Sequence, residues 1–213
     1  MSQLDGQRFA HLWQRLGGQG DPDPLFRALA AAYAEPQRTY HTAAHLQDCL
    51  QQFDHVRTSA AQPDQVEMAL WFHDGVYDPR AADNEEQSAV WAAQTLTQGG
   101  IQQTVVVQVT ELILATKHQS LPKAQDAKLT VDIDLAILGY TPILFTEYDR
   151  LIRSEYQWVP ALQYRRRRSQ ILAGFLARDV IYQTAYFHDR YEKQARVNLT
   201  NAIAQLNSPT ENG

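Results

Sequence analysis

The sequence predicts an all-α protein in which a single domain forms a helical bundle. Apolar residues recur at helical spacing along most of the chain, as in the stripe formed by Phe9, Leu12 and Leu16. Few segments alternate apolar and polar residues with the period of two that a half-buried strand requires. No repeat, low-complexity tract or long linker interrupts the 213 residues, so one domain over residues 1–213 is expected.

The first four helices are predicted over about residues 9–16, 21–33, 41–55 and 65–74. The first ends at Gly17-Gly18 and the fourth at Gly75, because glycine is unfavourable inside a helix. The third begins at His41 or Thr42, and the sequence leaves this start open.

Two further segments need separate arguments. Asp83 is expected to cap a fifth helix, with Glu86 three residues later completing a capping box. Val105 to Val107 favour a strand by propensity, but the apolar positions that follow continue an amphipathic pattern, so a helix is predicted over about residues 104–116. The last helices are expected at about residues 142–156, 160–187 and 189–206, with a break near 178–179.

Composition places the chain among ordinary globular proteins. Hydrophobic residues make up 44% and charged residues 20%. A single cysteine, Cys49, excludes a disulfide framework and fits a reducing compartment. The first residues carry no basic start with an apolar run, and no apolar stretch approaches the roughly 20 residues of a membrane span. A cytoplasmic protein without a membrane partner is expected.

The charge balance argues against a nucleic-acid polymer as partner. The net charge is −5, and the one basic run is Arg165 to Arg168. Four successive helical positions point around the whole helix, so these arginines form no single basic face. We expect the run to be mostly solvated.

His41 and His45 are the first candidates for chemistry. They are four residues apart, so they share one face if the helix is continuous. If the helix starts between them, His41 lies at its mouth. The alternative is a pair of surface histidines with no function.

His73-Asp74 is the second candidate, and the chain contains its own comparison. The tripeptide Phe-His-Asp occurs at residues 72–74 and again at 187–189, so the pair alone carries little weight. The first copy follows the apolar run Leu70-Trp71-Phe72 and precedes a glycine. Burying His73 and Asp74 there is costly unless they are paired or hold a metal.

Asp132 and Asp134 supply the third candidate, because they flank Ile133 ahead of an apolar segment. One or both could cap the short helix expected there, since aspartate is a preferred N-cap. Both interpretations hold together if Asp132 caps and Asp134 turns inward.

These blocks carry a family resemblance. Tyr40-His41-x-x-x-His45, His73-Asp74 and Asp134 together resemble the HD superfamily of metal-dependent phosphohydrolases. More distantly, the first block and Asp134-Leu135-Ala136 are similar to cyclic-nucleotide phosphodiesterases. The closer similarity is to a bacterial group of predicted HD phosphohydrolases. That similarity spans about residues 25–206 and rests on these segments: Arg38-x-Tyr40-His41, Asp83-Asn84-Glu85, Asp132 to Gly139, Arg168 and Glu192-x-x-x-Arg196-x-Asn198-Leu199.

The resemblance implies an HD-type helical bundle that holds one divalent metal ion. Its implied ligands are His45, His73, Asp74 and Asp134, and His41 would donate a proton to the leaving oxygen. Nitrogen and oxygen donors suit Mn, Fe, Co, Ni, Zn or Mg. A bound ion makes water more acidic and so supplies a nucleophile. The implied activity is hydrolysis of a phosphoester in a small phosphorylated metabolite, with nucleotides as the leading class.

One departure concerns the residues after the His-Asp pair. Many HD phosphodiesterases carry further histidines there and bind two metals, whereas this chain offers Asp78, Glu85 and Glu86. The capping box already accounts for Glu86, so Glu85 is preferred as general base or as a partner that orients a ligand. Asp78 is a further catalytic candidate, and one metal is favoured over two.

Four residues are candidates for contacts with substrate: Arg38, Lys117, His118 and Arg168. Lys117 and His118 follow an apolar helix, so they could instead only complement the negative end of its dipole. Arg168 either contacts substrate or pairs with a carboxylate such as Glu192.

Two other functions stay open. One is a metal-containing sensor that binds a nucleotide without turnover, and the other is an oxygenase with a paired iron centre. The tyrosines at positions 182, 186 and 191 could pack internally or across a homodimer.

Overall fold

The all-α fold class is confirmed. The computed structural model describes residues 4–208, and within that range it contains ten α-helices and no strand. The chain divides into two compact units, the first ending at Asp134 and the second beginning at Leu135. The single domain expected over residues 1–213 stays a prediction.

The first unit contains seven helices: α1 (Gly6–Arg15), α2 (Asp23–Ala32), α3 (Ala43–Val56), α4 (Pro63–Phe72), α5 (Asn84–Gln98), α6 (Gln103–Ala115) and α7 (Gln125–Asp134). Helix α4 is its centre, because every residue from Gln65 to Phe72 is buried. It packs against α1, α3, α5, α6 and α7. A helix that is covered on all sides reads as apolar nearly all round, which explains the Leu70-Trp71-Phe72 run.

A buried ion-pair network joins α1 to α4. Glu67 is 1% exposed and accepts from Arg8 Nε at 2.6 Å and from Arg15 Nη2 at 3.5 Å. Arg57 also pairs with Glu67. The same arginines contact Asp54 and Asp64 nearer the surface. The three arginines therefore compensate the negative charge of Glu67, and each of them also pairs with an aspartate nearer the surface.

The start of α3 resolves one open alternative. Thr42 is its N-cap, with extended backbone, and the Thr42 hydroxyl accepts from the backbone N–H of Ala44. A threonine in this position satisfies one of the N–H groups that the helix itself leaves unpaired. His41 therefore precedes the helix, and His45 lies in its first turn.

The predicted capping box is wrong. Asp83 does occupy the N-cap position of α5, but its side chain makes no capping hydrogen bond and instead accepts from Gln87 Nε2 at 2.9 Å. Glu86 pairs with Lys117, in the segment that follows α6. The carboxylate of Glu86 is therefore bound to the Lys117 ammonium and not to the backbone at the helix start.

The two aspartates near position 133 end a helix rather than start one. Helix α7 was not anticipated, and it includes Asp132 and Asp134 in its last turn. Asp132 is buried within α7 and does not directly precede the turn that follows, so the predicted position of Asp132 as its N-cap is wrong. The short helix expected after it is a 3-10 turn over Leu135–Gly139.

The second unit consists of that 3-10 turn and the helices α8 (Pro142–Glu155), α9 (Ala161–Leu176) and α10 (Ala185–Asn207). Asn198 on α10 donates its Nδ2 to the carbonyls of Leu138 at 2.8 Å and Tyr140 at 2.9 Å. Gly139 lies so close to α10 that an added Cβ would be 2.4 Å from Tyr191 Cβ. The turn is thus held against α10 at a distance that only glycine permits.

Helix α9 ends at Leu176 and not near residue 187, close to the break expected at 178–179. The reason is an alternative set of partners for the backbone. The N–H groups of Ile181 and Tyr182 donate to the Glu192 carboxylate. Arg196, itself paired with Glu192, donates to carbonyls at the end of α9 and in the next residues: Leu176, Arg178 and Asp179.

Among the described residues, no single helix is long and apolar enough to cross a membrane, although a bent pair over residues 125–139 and 142–155 passes by length and composition.

Candidate metal centre

Three helix ends in the first unit bring the histidines and carboxylates together. His45 lies in the first turn of α3, His73 and Asp74 directly follow α4, and Asp134 is the last residue of α7. These three helices pack against one another. Helix packing therefore brings the four residues together, although they are far apart in the sequence.

The donor atoms lie at the spacing of ligands to one ion. His45 Nε2 is 3.2 Å from His73 Nε2, 3.4 Å from Asp74 Oδ2 and 3.3 Å from Asp134 Oδ1. His73 Nε2 is 3.1 Å from Asp74 Oδ2 and 3.7 Å from Asp134 Oδ1. Two donors that each lie about 2.1 Å from one ion are about 3.0 Å apart at a right angle and about 3.4 Å apart at the tetrahedral angle.

The hydrogen bonding of these atoms also fits an ion. Asp74 Oδ2 is buried, and none of the described residues directs a hydrogen bond at it, although two imidazole nitrogens lie within 3.4 Å. Buried polar atoms almost always have a partner, so an orphaned carboxylate oxygen needs an explanation. A shared cation would supply one, and the neighbouring buried group of His45, Cys49, His73 and Asp134 could hold a metal ion.

Outer contacts orient two of these side chains. His73 donates Nδ1–H to the carbonyl of Leu70 at 2.8 Å, which leaves the lone pair of Nε2 facing the cluster. His118 Nε2 lies 2.9 Å from Asp134 Oδ2, so Oδ1 of the same carboxylate faces the histidines. His118 has a φ of 57°, a left-handed conformation that is uncommon for a non-glycine residue.

The electrostatics favour charged groups throughout the cluster. Burial acts to lower the pKa of both histidines, but neighbouring groups reverse the effect and raise the pKa well above its ordinary value, chiefly Cys49 for His45 and Asp74 for His73. Burial acts to raise the pKa of both carboxyl groups, but the histidines lower it below its ordinary value, chiefly His73 for Asp74 and His118 for Asp134. Protons and a cation therefore compete for the same atoms.

Cys49 is a member of the cluster that the sequence reasoning missed. Its Sγ is 3.7 Å from His45 Nε2 and 3.8 Å from His45 Nδ1, and the residue is 1% exposed. Potential ligand atoms of His45, Cys49, His73 and Asp134 all lie within 4.8 Å of one another. The available signal was its position four residues after His45 on the same helix, which places both on one face.

Two of the predicted catalytic side chains lie within electrostatic reach of Asp74. His41 stacks on Tyr77 with ring centroids 4.2 Å apart, and its charge lowers the pKa of Asp74. Glu85 is half-buried in the first turn of α5. Burial raises the pKa of Glu85 above its ordinary value, and the charges of Asp74 and Glu86 add to the rise, against a backbone hydrogen bond and Lys117.

The third, Asp78, is exposed in the loop before α5. Its carboxylate accepts from the backbone N–H of Arg80 at 2.9 Å, and its backbone N–H and carbonyl both bond the side chain of Asn84. Asp78 thus shapes this loop, and its catalytic role stays a prediction.

Arg38 is buried and donates to backbone carbonyls on two sides of the cluster. Its Nη1 donates to His41 at 3.2 Å and to Asp74 at 2.6 Å, and its Nη2 donates to Gly75 at 3.1 Å. These bonds tie the segment before α3 to the turn after α4. Arg38 is therefore a positioning residue, and its contact with a phosphate oxygen stays a prediction.

Two predicted substrate contacts have carboxylate partners. Lys117 pairs with Glu86, as described above. Arg168 belongs to the second unit and donates Nε to Asp149 at 2.9 Å. It therefore pairs with a carboxylate, as one alternative from the sequence held, but the partner is Asp149 and not Glu192. Glu192 forms an ion pair with Arg196. For Lys117 and Arg168 the contact with substrate stays a prediction.

The second Phe-His-Asp copy differs in burial. The side chains of His188 and Asp189 are 45% and 81% exposed on α10. Their identical local sequence makes them a matched control for His73 and Asp74.

Comparisons of the chain with protein-family models, with curated proteins and with solved structures each found no match. Fold and site together define an all-α protein with a buried histidine, cysteine and aspartate cluster that can hold a metal ion.

Proposed function

We propose that this chain is a metal-dependent phosphohydrolase of the HD type that cleaves phosphoesters of small phosphorylated metabolites, with nucleotides as the first class to test. The observation that carries the proposal is the convergence of His45, His73, Asp74 and Asp134, with donor atoms 3.1–3.7 Å apart, beside two residues suited to proton transfer. The resemblance of the sequence blocks to HD phosphohydrolases supplies the reaction class.

The four residues at the cluster would hold one divalent ion. When bound, such an ion acidifies a coordinated water and polarises a phosphoryl oxygen. Everything else is left to the protein side chains. The aspartates compensate the charge of the cation, and His118 and Arg38 keep Asp134 and the Asp74 turn in place.

Glu85 takes the part of general base. A carboxylate with a raised pKa accepts a proton more readily from a nucleophilic water, and burial raises the pKa of the half-buried Glu85 above its ordinary value. His41 takes the part of general acid and donates to the leaving oxygen. It lies outside the helix, packed on Tyr77, and its charge reaches the Asp74 side of the cluster.

Glu85 and its neighbour Glu86 provide the test. The metal-loaded wild type, Glu85→Gln and Glu86→Gln proteins are assayed against a panel of nucleoside phosphates and a chromogenic phosphodiester. We expect Glu85→Gln to lower kcat by about 10²–10⁴-fold with unchanged metal content, because only proton transfer is lost. Glu86→Gln should stay within a few-fold of wild type, since Glu86 pairs with Lys117.

The alternatives give different results. Tight nucleotide binding with no turnover in any of the three proteins would favour a sensor. Two iron atoms per chain with oxygen consumption would favour the oxygenase. Equal losses in Glu85→Gln and Glu86→Gln would contradict the role assigned to Glu85.

A further inference from the structure

Tyr77 is a buried aromatic residue in the segment that connects α4 to α5. It follows the turn that carries His73 and Asp74, and it is 7% exposed. Its ring stacks on the imidazole of His41, with ring centroids 4.2 Å apart and the two planes inclined by 30°. His41 lies outside α3. The stack therefore restricts the tilt of an imidazole that no helix positions, because tilting would break the contact between the two rings.

A second ring meets the imidazole of His41 from another direction. The rings of Tyr40 and His41 are nearly perpendicular, at 83°, with centroids 5.0 Å apart. One stacked neighbour and one perpendicular neighbour together leave the imidazole fewer orientations than either would alone. Its centroid lies 5.8 Å from that of His45, so the ring is held directly beside the metal cluster.

The ring of Tyr77 is itself held by rigid neighbours. Arg38 Cζ lies 5.4 Å from the Tyr77 ring centroid and 5.3 Å from that of Tyr33. The Arg38 side chain is fully buried, and a guanidinium without water is attracted to aromatic faces. Gln37 Nε2 also donates to the carbonyl of Tyr77 at 3.3 Å. The surface on which His41 rests is therefore fixed before any substrate arrives.

The orientation of His41 matters for the chemistry proposed above. The water oxygen bonds to phosphorus and gives a proton to Glu85, while the leaving oxygen takes a proton from His41 as its own bond to phosphorus breaks. The donor must lie within hydrogen-bond reach, and a misplacement of about 1 Å can cost about 10²-fold in rate. A residue that fixes this imidazole can therefore raise the rate by acting through His41.

We propose that Tyr77 is a positioning residue, whose ring holds His41 in the orientation from which it protonates the leaving oxygen. The inference deepens the proposed function and rests on the part of general acid given there to His41. The contact is made by the ring, so Tyr77→Phe should preserve it and Tyr77→Leu should remove it.

The test compares two phosphomonoesters that differ in their need for a proton. A nucleoside monophosphate releases an alcohol, which departs poorly unless it is protonated, whereas p-nitrophenyl phosphate releases a phenolate that is stable near neutral pH. The metal-loaded full chain is assayed as wild type, Tyr77→Leu, Tyr77→Phe, His41→Ala and the double variant His41→Ala, Tyr77→Leu. Tyr191→Leu is the matched control, since Tyr191 is also 7% exposed but packs on Tyr182 and Phe187 in the second unit.

We expect Tyr77→Leu to lower kcat for the nucleoside monophosphate by about 10²-fold and to leave p-nitrophenyl phosphate within a few-fold of wild type. His41→Ala should show the same pattern, and the double variant should be little slower than His41→Ala, because Tyr77 acts through His41. Tyr77→Phe should restore the wild-type rate on both esters. Tyr191→Leu should change the two rates by the same factor.

A second measurement does not depend on turnover. Protons of a ring that is stacked on an aromatic face are shifted upfield in the NMR spectrum. The ring protons of His41 in the wild-type chain should therefore resonate upfield of those of His188, whose side chain is 45% exposed. The signals of His41 are identified by their loss in His41→Ala.

The outcomes separate the inference from the proposed function. Equal losses on the two esters in Tyr77→Leu, an equal loss in Tyr77→Phe, or fully additive losses in the double variant would overturn the role of Tyr77 and leave the phosphohydrolase standing. Equal chemical shifts for His41 and His188 would do the same, even if Tyr77→Leu fails to fold. No turnover of either ester by wild type would overturn both.

Discussion

Adding a divalent ion should raise the thermal unfolding midpoint of this protein, and the rise should depend on His73 and Asp74. An ion that binds only the folded chain stabilises it by about 2.7 kcal/mol at a free concentration of about 100 times Kd. For a chain of this length, each kcal/mol shifts Tm by about 2–4 °C, so the expected rise is about 5–11 °C.

The measurement compares two double variants that make the same chemical change. His73→Ala, Asp74→Ala removes a nitrogen and an oxygen that lie 3.1 Å apart in the cluster. His188→Ala, Asp189→Ala removes the same pair from an exposed position on α10. Tm is recorded by calorimetry with and without Zn²⁺ or Co²⁺, and bound metal is counted by mass spectrometry.

We expect about one ion per chain and the full rise for wild type and for the α10 variant, and neither for the cluster variant. Asp134→Asn, which preserves side-chain shape, provides a second ligand variant if the double variant folds poorly. An equal rise in the cluster and α10 variants would refute the assignment of the site.

Three further predictions concern pH and stability. Because neighbouring groups raise the pKa of His45 and His73 in the metal-free protein, ion uptake releases protons and affinity should weaken as pH falls through that raised range; calorimetry in buffers of different ionisation enthalpy measures this. Glu67→Leu should destabilise by about 1–3 kcal/mol in urea denaturation, since it removes charged hydrogen bonds while the part-exposed arginines keep Asp54 and Asp64. Gly139→Ala should cost about 1–3 kcal/mol by overpacking, whereas Gly174→Ala, with nothing within 4 Å of the added Cβ, should stabilise by about 0.5–1 kcal/mol. Equal effects at the two glycines would contradict the packing argument.

Hydrophobic periodicity predicted most of the helices because each of them buries one apolar face, and the residues of such a face recur at helical spacing in the sequence. It did not reveal α7, whose segment Gln125–Asp134 is polar at its start and buried mainly in its second half. It also extended α9 too far, because the carboxylate of Glu192 and the guanidinium of Arg196 take backbone partners at the break. Those contacts are tertiary, so the local pattern indicated a break near residues 178–179 but not the side chains that hold the chain there.

Part of the candidate site was predictable because titratable side chains directly follow an apolar stretch of the sequence. His73 and Asp74 stood out because an apolar run delivers them into the core, whereas the same tripeptide on α10 lacks that run. Cys49 was missed because a cysteine four residues beyond a histidine is unremarkable until the second histidine is packed beside it. The resemblance already implied Asp134 rather than Asp132, and the structure places Asp134 Oδ1 3.3 Å from His45 Nε2.

The bonds from Arg38 to the carbonyls of His41, Asp74 and Gly75 have a consequence for how an ion enters and leaves. The loop segments around the cluster are already ordered in the folded chain, so the binding of an ion does not have to order them and does not lose that entropy. An ion can then exchange with the surrounding pool while the backbone keeps its shape. Occupancy would follow the supply of free ions in the cell, and one folded scaffold could be found empty or loaded.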